Sequence, residues 1–402
     1  MLSVEQALHN LQQTVPGKPG TETVDLEHAH RRVLAEAPVA TTDIPPADNS
    51  AMDGFAVAYN DLHPGTPVTL PVSARQPAGQ APMPLQPGTA VRIFTGAELP
   101  PGADTVIIQE DCRYDTKQVC INVAPEAGAN VRGQGEDMRK GQVLLEPGRR
   151  LQAADIALLA AGGIGRVTVY RRLTAALLIT GDELVQPGEP LPAGRIYDSN
   201  TPMLRALLEN MGFETAPYHV PDTAEDTIAI LRQSATADVI ISTGGVSVGE
   251  EDHIGNALAT LGRTAFWKIA MKPGKPFLFG EVNSTPLFGL PGNPVSALVT
   301  FCIFARPFLS AMQGGEFVKP RHWPVKAGFN MTRTSPRQQF LRATLVQEDD
   351  HGELTAVPLG RQGSAALDSL SQADALVVIP PEKVISENDP VEVILLAELL
   401  SL

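Results

Sequence analysis

The stretch DVIISTGGVSVGEED, residues 238–252, indicates the fold class of this chain. Residues 239–243 have the composition of a strand buried on both faces. Gly244, Gly245, Ser247 and three acidic residues follow, before an amphipathic segment that predicts a helix. Such a turn either cradles an anion, with carboxylates holding a hard cation beside it, or is an ordinary strand-to-helix turn with acidic capping residues.

Strand and helix patterns alternate from residue 173 to residue 320. This alternation predicts a largely parallel sheet with helices on both faces, whose ligands bind beyond the carboxyl ends of the strands. Three turns meet that criterion: TGDEL at 180–184, the opening turn, and GLPGNPVSAL at 289–298. In the last of them Asn293 is predicted to cap a helix that begins at Pro294, which directs free N–H groups at a ligand.

A lysine patch lies between the last two turns. Lys272 and Lys275 flank the sequence Pro-Gly in Lys-Pro-Gly-Lys-Pro, and Lys268 precedes them by a few residues. Prolines restrict the backbone here, and lysines suit phosphate or another oxyanion as point charges. We therefore favour a binding role over a solvated hairpin.

The remaining segments of the chain predict mainly β structure. Residues 68–145 show short strands broken by Pro/Gly turns, and residues 321–402 predict a small barrel-type β domain. Helical patterns at 3–14 and 151–161 flank the first β region. The pattern predicts a multidomain α/β plus β chain with four parts: a discontinuous N-terminal domain of 1–44 and 147–172, a β insert of 45–146, an α/β domain of 173–320 and a C-terminal domain of 321–402. The family resemblance set out below implies that the chain is elongated.

Composition excludes several classes of protein. The net charge of −14 argues against a nucleic-acid partner. Three cysteines without Cys-x-x-Cys spacing argue against a disulfide framework and indicate reduced thiols and a cytoplasmic protein. No run approaches the roughly 20 apolar residues of a membrane span, so no membrane partner is expected.

Other chemistries lack their motifs. No Gly-x-x-x-x-Gly-Lys-Ser/Thr or Gly-x-Ser-x-Gly occurs, and no Gly-x-Gly-x-x-Gly follows a first strand. What remains is a set of acidic residues in glycine-rich turns together with the lysine patch: Asp53, Asp137, Glu183, Asp222, Asp252, Lys268, Lys272 and Lys275. That set favours metal-assisted chemistry on a phosphorylated ligand.

Eight motifs in order resemble one family: NSAMDGFAV, RIFTGAELPPGADTVI, RGQGEDM, TGDEL, YDSN, STGGVSVGEED, WKIAMKPGKP and GLPGNPVSA. The family is that of the molybdopterin molybdenumtransferases, the MoeA family, related to the C-terminal part of gephyrin. The resemblance covers nearly the whole chain. It implies a transferase that inserts molybdate into adenylylated molybdopterin and releases AMP, with Mg²⁺ as cofactor. It also implies a homodimer, with the molybdopterin adenylyltransferase as a candidate partner.

The resemblance implies a site shared between two subunits. Its catalytic residues would be Asp53, Glu183, Asp222 and Asp252, of which Glu183 and Asp252 would bind Mg²⁺. Its substrate-binding residues would include Thr95, Asp137, Lys268, Lys272, Pro291 and Pro294. The turns and the lysine patch described above add Gly244, Gly245, Ser247, Lys275, Asn293 and Ser296 to the predicted substrate-binding residues. Of these, Asp53, Thr95 and Asp137 would face the others across the dimer.

Two positions depart from the family pattern. Gln134 stands where relatives usually carry an arginine, and His253 stands where they usually carry an aromatic residue, so an anion contact and a stacking contact are in question. Three alternatives remain open: tungsten insertion, adenylylation of molybdopterin, and a non-catalytic scaffold or binding module.

Overall fold

The computed structural model describes residues 1–63, 65–246, 253–347 and 353–400. The chain begins with helix α1, Val4–Gln13, which Ser3 caps as predicted: its hydroxyl accepts the Gln6 amide, and the Gln6 side chain accepts the Ser3 amide. The apolar face of α1 packs into the same core cluster as the strands of the α/β part. Strand β1, Thr21–Asp25, follows.

The β insert is built from short strands. They are β2 (Asn49–Ser50), β3 (Gly54–Val57), β4 (Val68–Gln76), β5 (Ala90–Ile93), β6 (Thr105–Ile108), β7 (Cys112–Tyr114), β8 (Gln118–Ile121) and β9 (Val131–Arg132). Six of them form one sheet in the order β6-β3-β5-β4-β8-β7, and β2 pairs with β9. Both faces of β3 are buried, and its register with β5 and β6 places the turn before β3 beside the end of β5.

The chain then returns to its N-terminal part. Helix α2, Ala153–Ala161, is followed by strand β10, Arg166–Tyr170, which pairs antiparallel with β1 along its full length. A separate apolar cluster, which includes Leu34, Leu151 and Val169, lies between these elements. Residues on both sides of the insert therefore build one packed unit.

The α/β part contains a six-stranded sheet. Its strands are β11 (Thr174–Thr180), β14 (Glu214–Val220), β15 (Val239–Thr243), β16 (Gly262–Trp267), β18 (Leu278–Val282) and β19 (Thr285–Leu290). Four of them, in the order β14-β11-β15-β19, are parallel, and β18 and β16 continue the sheet antiparallel to their neighbours. Every residue of β15 is buried, which confirms the prediction from the opening stretch.

Helices cover this sheet. They are α3 (Asn200–Asn210), α4 (Ala224–Ser234), α5 (His253–Leu261), and a continuous helix formed by α6 (Pro294–Thr300), a π-helical turn (Phe301–Ala305) and α7 (Arg306–Met312). Two apolar clusters, one containing Leu177 and Phe288 and the other Leu178 and Leu287, show that both faces of the sheet are packed. Short strands β12 (Leu184–Val185), β13 (Ile196–Tyr197) and β17 (Met271–Lys272) lie in the connections.

One helix, Pro294–Met312, is long and apolar enough to cross a membrane by length and composition. However, 83% of its apolar window is buried inside the protein. Its side chains form much of the core against the sheet, including Phe301, Phe304 and Phe308. The helix is therefore part of the core of the α/β sheet.

The C-terminal part is a closed barrel. Strands β20 (Trp323–Ala327), β21 (Gln338–Gln347), β22 (Leu354–Pro358), β23 (Ala375–Ile379) and β24 (Pro390–Leu395) follow the order β21-β22-β20-β24-β23, and β23 pairs back to β21. Helix α8, Leu367–Gln372, joins β22 to β23. Residues 396–400 lie in the predicted β domain but form helix α9, whose Leu396 and Leu399 pack into the large core cluster.

Candidate functional site

The candidate site in the α/β part follows from the register of the sheet. The carboxyl ends of β14, β11, β15, β19 and β16 and the beginning of the antiparallel β18 lie side by side. The register pairs Trp267 with Leu278, Leu278 with Gly289, Leu290 with Thr243, Thr243 with Ile179, and Thr180 with Val220. The turns that follow therefore share one edge. This edge carries Glu183, Asp222, Gly244, Gly245, Lys268, Lys272, Lys275, Pro291, Asn293, Pro294 and Ser296.

Two predicted site residues, Ser247 and Asp252, lie outside the described residues. The residues on either side of them are fixed: Val246 ends the glycine turn, and α5 begins at His253. The Val246 carbonyl accepts a hydrogen bond of 3.2 Å from the Trp267 indole nitrogen. The turn is thus tied to the end of β16, where the lysine patch begins.

The glycines of the two central turns allow the backbones to approach closely. Gly244 has φ +86°, and a Cβ on it would lie 2.5 Å from the Thr180 hydroxyl oxygen. A Cβ on Gly292 would lie 3.7 Å from the Gly244 Cα. Only glycine tolerates this combination of a left-handed conformation and close contact. The two turns therefore lie directly against each other at this edge.

A buried amide holds these two turns together. The Asn200 side-chain nitrogen donates to the Thr243 hydroxyl (3.1 Å) and to the Gly292 carbonyl (2.8 Å). Asn200 is itself fixed by Asp198, whose carboxylate accepts the backbone amides of Asn200 and Thr201 at 3.0 Å. Asp198 and Asn200 both belong to the motif YDSN at 197–200, for which the sequence predicted no role. An Asp two residues before a helical Asn was the signal that could have identified this clamp, because it is typical of a capping turn.

The start of α6 differs in one respect from the prediction. Pro294 occupies the first turn as predicted, but Asn293 makes no side-chain capping bond. Instead, the Val295 amide donates to the Ser364 carbonyl of the barrel at 3.1 Å. The Ser296 amide has no hydrogen-bond partner among the described residues, so this helix start still offers a donor to an anion.

The barrel loop that contacts α6 is held by a buried arginine. Arg342 is fully buried and donates from its guanidinium to the carbonyls of Arg361 (2.7 Å) and Gly363 (3.0 Å) and to the Ser369 hydroxyl (2.8 Å). Its backbone is paired with the Gln362 side chain. Sequence reasoning missed this link because a single arginine in a β-strand gives no signal of burial.

The three lysines lie on a short segment packed against α6. Gly274 has φ +104°, and a Cβ there would lie 2.5 Å from the Thr300 side chain. The Lys268 nitrogen lies 4.2 Å from the centre of the Trp267 ring, a cation–π contact. Within the described ranges, no carboxylate forms an ion pair with Lys268, Lys272 or Lys275. Their charges are therefore available to an anion.

The acidic turns lie beside these groups. The Asp222 carboxylate accepts the Asp182 amide at 3.0 Å, which ties the turn after β14 to the turn after β11. The exposed Glu183 side chain folds back against Gly181. No group of three His, Cys, Asp or Glu residues in the described part of the chain is arranged to hold a metal ion.

The insert residues form a second group. The Asp53 carboxylate accepts hydrogen bonds from the amide and the hydroxyl of Thr95, each 2.8 Å long, and these bonds lower the pKa of Asp53. Asp137 is exposed, and its amide donates to the Ile44 carbonyl at 2.9 Å. Among the described residues no hydrogen bond joins this group to the sheet edge, so a single chain does not unite them by such contacts.

Gln134, the departure from the family pattern, has partners in this second group. Its amide donates to the Asp48 carboxylate at 2.7 Å, and its side-chain nitrogen donates to the Asp43 carboxylate at 2.8 Å. Gln134 thus anchors the loop that carries Asp137. Its side chain is engaged with a carboxylate, which leaves Arg132 and Arg139 as the nearby cations in sequence.

Comparison with known proteins agrees with this arrangement along the whole chain. Three family models match: the MoeA N-terminal region (domain I and II) over residues 2–163, a probable molybdopterin binding domain over residues 176–311, and the MoeA C-terminal region (domain IV) over residues 324–396. Together they cover the insert, the α/β part and the barrel.

Full-length relatives match as well. A Haemophilus influenzae protein named molybdopterin molybdenumtransferase is 38% identical over 95% of this chain and 95% of its own length. A Nostoc protein of the same name is 38% identical, covering 93% of this chain and 88% of that protein. A crystal structure of the molybdopterin biosynthesis MoeA protein from Pyrococcus horikoshii is 28% identical with a TM-score of 0.82, covering 98% and 100% of the two chains. On these grounds the chain belongs to the MoeA family, the molybdopterin molybdenumtransferases, which are transferases of molybdenum cofactor biosynthesis.

Proposed function

We propose that this chain inserts molybdate into adenylylated molybdopterin and releases AMP, in a Mg²⁺-dependent reaction carried out by a homodimer. One observation carries the proposal. The register of the sheet brings the two glycine turns, the start of α6, the lysine patch and two acidic turns to a single edge. Amide donors, cations and carboxylates at one edge are the groups that a phosphorylated ligand and an oxyanion require.

The chain's own groups have distinct parts in this proposal. The glycine turn that begins at Gly244 and the start of α6, with its Ser296 amide, would bind the phosphate or the pterin end of the ligand. Lys268, Lys272 and Lys275 would neutralise the negative charge of phosphate and molybdate as the two approach each other. Since molybdate and the phosphoryl group are both anions, their encounter requires this compensation.

The carboxylate of Glu183 at this edge supports the proposed magnesium ion. Mg²⁺ prefers hard oxygen ligands and is usually held by one or two carboxylates together with substrate phosphates and waters. Glu183 offers an exposed carboxylate at this edge, and Asp222 lies on the neighbouring turn. Glu183 and Asp252 would hold the ion, which would supply charge neutralisation at the phosphoryl oxygens. Asp222, through the Asp182 amide, would position the turn that carries Glu183.

The insert group would complete the site from a second subunit. Hydrogen bonds from Thr95 lower the pKa of Asp53, and Asp137 is exposed in the same insert. Neither is bonded to the sheet edge of its own chain within the described residues. A two-fold dimer could place this group opposite the partner's edge, where it would orient ligand groups.

Incubation of the purified protein with adenylylated molybdopterin and molybdate, with and without Mg²⁺, tests the proposal. We expect AMP release that requires both molybdate and Mg²⁺. Formation of adenylylated molybdopterin from ATP would favour adenylylation, and AMP release with tungstate in preference to molybdate would favour tungsten insertion. Absence of both activities would leave a scaffold role and contradict the proposal.

A further inference from the structure

A second cationic cavity lies away from the sheet edge. It has a volume of about 480 Å³ and lies where α7, the linker at 318–321 and the barrel meet. Four cationic side chains line it, Arg150, Arg306, Lys319 and Arg321, against one carboxylate, Glu398. This is an unusual local balance in a protein with a net charge of −14.

The carboxylate at this cavity is already engaged. One Glu398 carboxylate oxygen accepts a hydrogen bond of 3.1 Å from the Trp323 indole nitrogen. Lys319 forms an ion pair of 3.1 Å with Glu5, which lies on α1. Arg321 forms no ion pair within the described part of the chain. The cavity wall thus keeps an excess of positive charge.

Arg306 is only partly satisfied. Its guanidinium donates to the Glu398 carbonyl at 2.9 Å, but its Nε is buried and has no hydrogen-bond partner among the described residues. Burial lowers the pKa of this arginine. A buried donor on a charged group costs free energy unless a partner is present.

Arg150 is satisfied only by neutral groups. It donates to the carbonyls of Arg31 (2.8 Å) and Met211 (3.1 Å) and to the Gln313 side chain. Burial, and then the positive charges of Arg306 and Arg31, lower the pKa of Arg150 to about 10. Arg150 therefore has no carboxylate partner at this wall and is repelled by Arg306, whereas Glu398 only partly compensates the charge of Arg306.

We propose that this cavity is a second anion site, which binds a multiply charged oxyanion or the phosphate group of a small molecule through Arg150, Arg306 and Arg321. An anion here would offset the repulsion that the positive charge of Arg306 exerts on Arg150. Arg306 lies 12 residues after Pro294 on one continuous helix, so the cavity is about 18 Å along that helix from the proposed catalytic edge.

The position of the cavity gives the ligand a structural consequence. Arg150 belongs to the N-terminal part, Arg306 to the α/β part, and Glu398 to the helix after the barrel. A ligand that contacts these elements together would favour one arrangement of the three parts. We therefore expect binding to raise the temperature of unfolding of the whole chain.

Calorimetric titration with inorganic phosphate, at constant ionic strength set with chloride, tests this site. The variants are Arg306→Gln and Arg321→Gln, with Arg166→Gln as a control, because Arg166 is an exposed arginine paired with Asp25. Lys272→Gln is a second control, because it weakens any phosphate binding at the sheet edge without changing the cavity. We expect Kd to rise at least tenfold in R306Q and several-fold in R321Q, and to be unchanged in R166Q and K272Q.

Thermal unfolding separates a binding role from a structural one. Without phosphate, R306Q should unfold at the same or a higher temperature than wild type, because it removes an unpaired buried charge; phosphate should no longer raise that temperature. Titration of AMP into K272Q distinguishes the two possible sources of the bound anion. If AMP binds more tightly than phosphate, the ligand is a nucleotide; if the two bind equally, the ligand is a free oxyanion.

Three results would overturn the proposal. The first is the absence of phosphate binding by wild type, and the second is its loss in K272Q but not in R306Q. The third is sedimentation that shows dissociation of a dimer in R321Q without any response to phosphate. That third result would mean that carboxylates of a second copy, and not a small anion, occupy the cavity.

Discussion

The carboxylate of Asp53 accepts two hydrogen bonds from Thr95, one from its amide and one from its hydroxyl, each 2.8 Å long. The backbone bond and then the side-chain bond lower the pKa of Asp53. Thr95 follows β5 and Asp53 precedes β3, and these two strands are paired. The insert therefore presents a fixed, ionised carboxylate on its surface.

Removal of the Thr95 hydroxyl tests this relationship. In Thr95→Val the amide bond remains but the hydroxyl bond is lost, so the pKa of Asp53 should rise towards its ordinary value in an NMR titration. Because Asp53 remains ionised at pH 7, the activity loss of about tenfold that we expect reflects its position rather than its charge. Thr69→Val, at an exposed threonine of β4, is the control and should leave both quantities unchanged; an unchanged rate in T95V would contradict the role of Asp53.

The Asn200 clamp should affect stability and activity together. Asn200→Ala leaves the Gly292 carbonyl without its buried donor, at a cost of about 1–3 kcal/mol in the free energy of unfolding. Activity should fall further than stability explains, because the two glycine turns lose their common tie. The matched control is Asn210→Ala at the exposed end of the same helix. Equal effects in both variants, measured by urea denaturation and AMP release, would refute the clamp.

Gly244 should tolerate no Cβ. Gly244→Ala combines a left-handed φ with an approach of 2.5 Å to the Thr180 hydroxyl. We expect a loss of about 1–3 kcal/mol in stability and a strong loss of activity. Gly194→Ala is the matched control, because Gly194 has φ +80° but open space around it. G194A should lose less stability than G244A and should keep its activity. Retention of full activity by G244A would contradict the close approach of the turns.

The pH dependence of stability should reveal the Asp238–Arg171 pair. Burial raises the pKa of Asp238, but hydrogen bonds from Arg171 and the Thr174 amide outweigh it, so the pKa is lowered on folding. The stabilisation is therefore complete above the unfolded pKa of about 4 and is lost as pH falls through the folded pKa. At pH 7, Asp238→Asn should cost about 1 kcal/mol, since Arg171 is 46% exposed and screened by solvent.

The difference in the free energy of unfolding between D238N and wild type should shrink as pH falls below about 4. Chemical denaturation at a series of pH values measures it. Glu281→Gln, at the exposed pair with Arg263, should show little difference at any pH. If the difference in the free energy of unfolding between D238N and wild type stayed constant down to pH 2.5, the stabilising role of the Asp238–Arg171 pair would be contradicted.

The sequence predicted those elements whose pattern repeats over many residues. The buried strand Val239–Thr243, the cap at Ser3 and the helix that begins at Pro294 all formed as expected. The parallel direction of the four strands β14, β11, β15 and β19 agrees with the alternation of strand and helix, but the order of the strands was not predicted.

Features that depend on tertiary contacts were not predictable. Asn293 precedes a helix in sequence, but the Ser364 carbonyl from the barrel bonds the Val295 amide there. Residues 396–400 continue an apolar β pattern, yet they form a helix because Leu396 and Leu399 pack into the core beside α7. Asn200 and Arg342 are polar residues whose burial depends on partners distant in sequence. Periodicity does not encode such partners.

The site shared between two subunits is tested most directly by mixing two inactive variants. Asp53→Ala removes the insert half and Lys268→Ala the edge half. After denaturation and refolding together in equal amounts, half of the dimers would be mixed, and each would contain one intact site. We predict recovery of roughly a quarter of the wild-type, molybdate-dependent AMP release. Recovery no greater than the sum of the two variants alone would contradict the shared site.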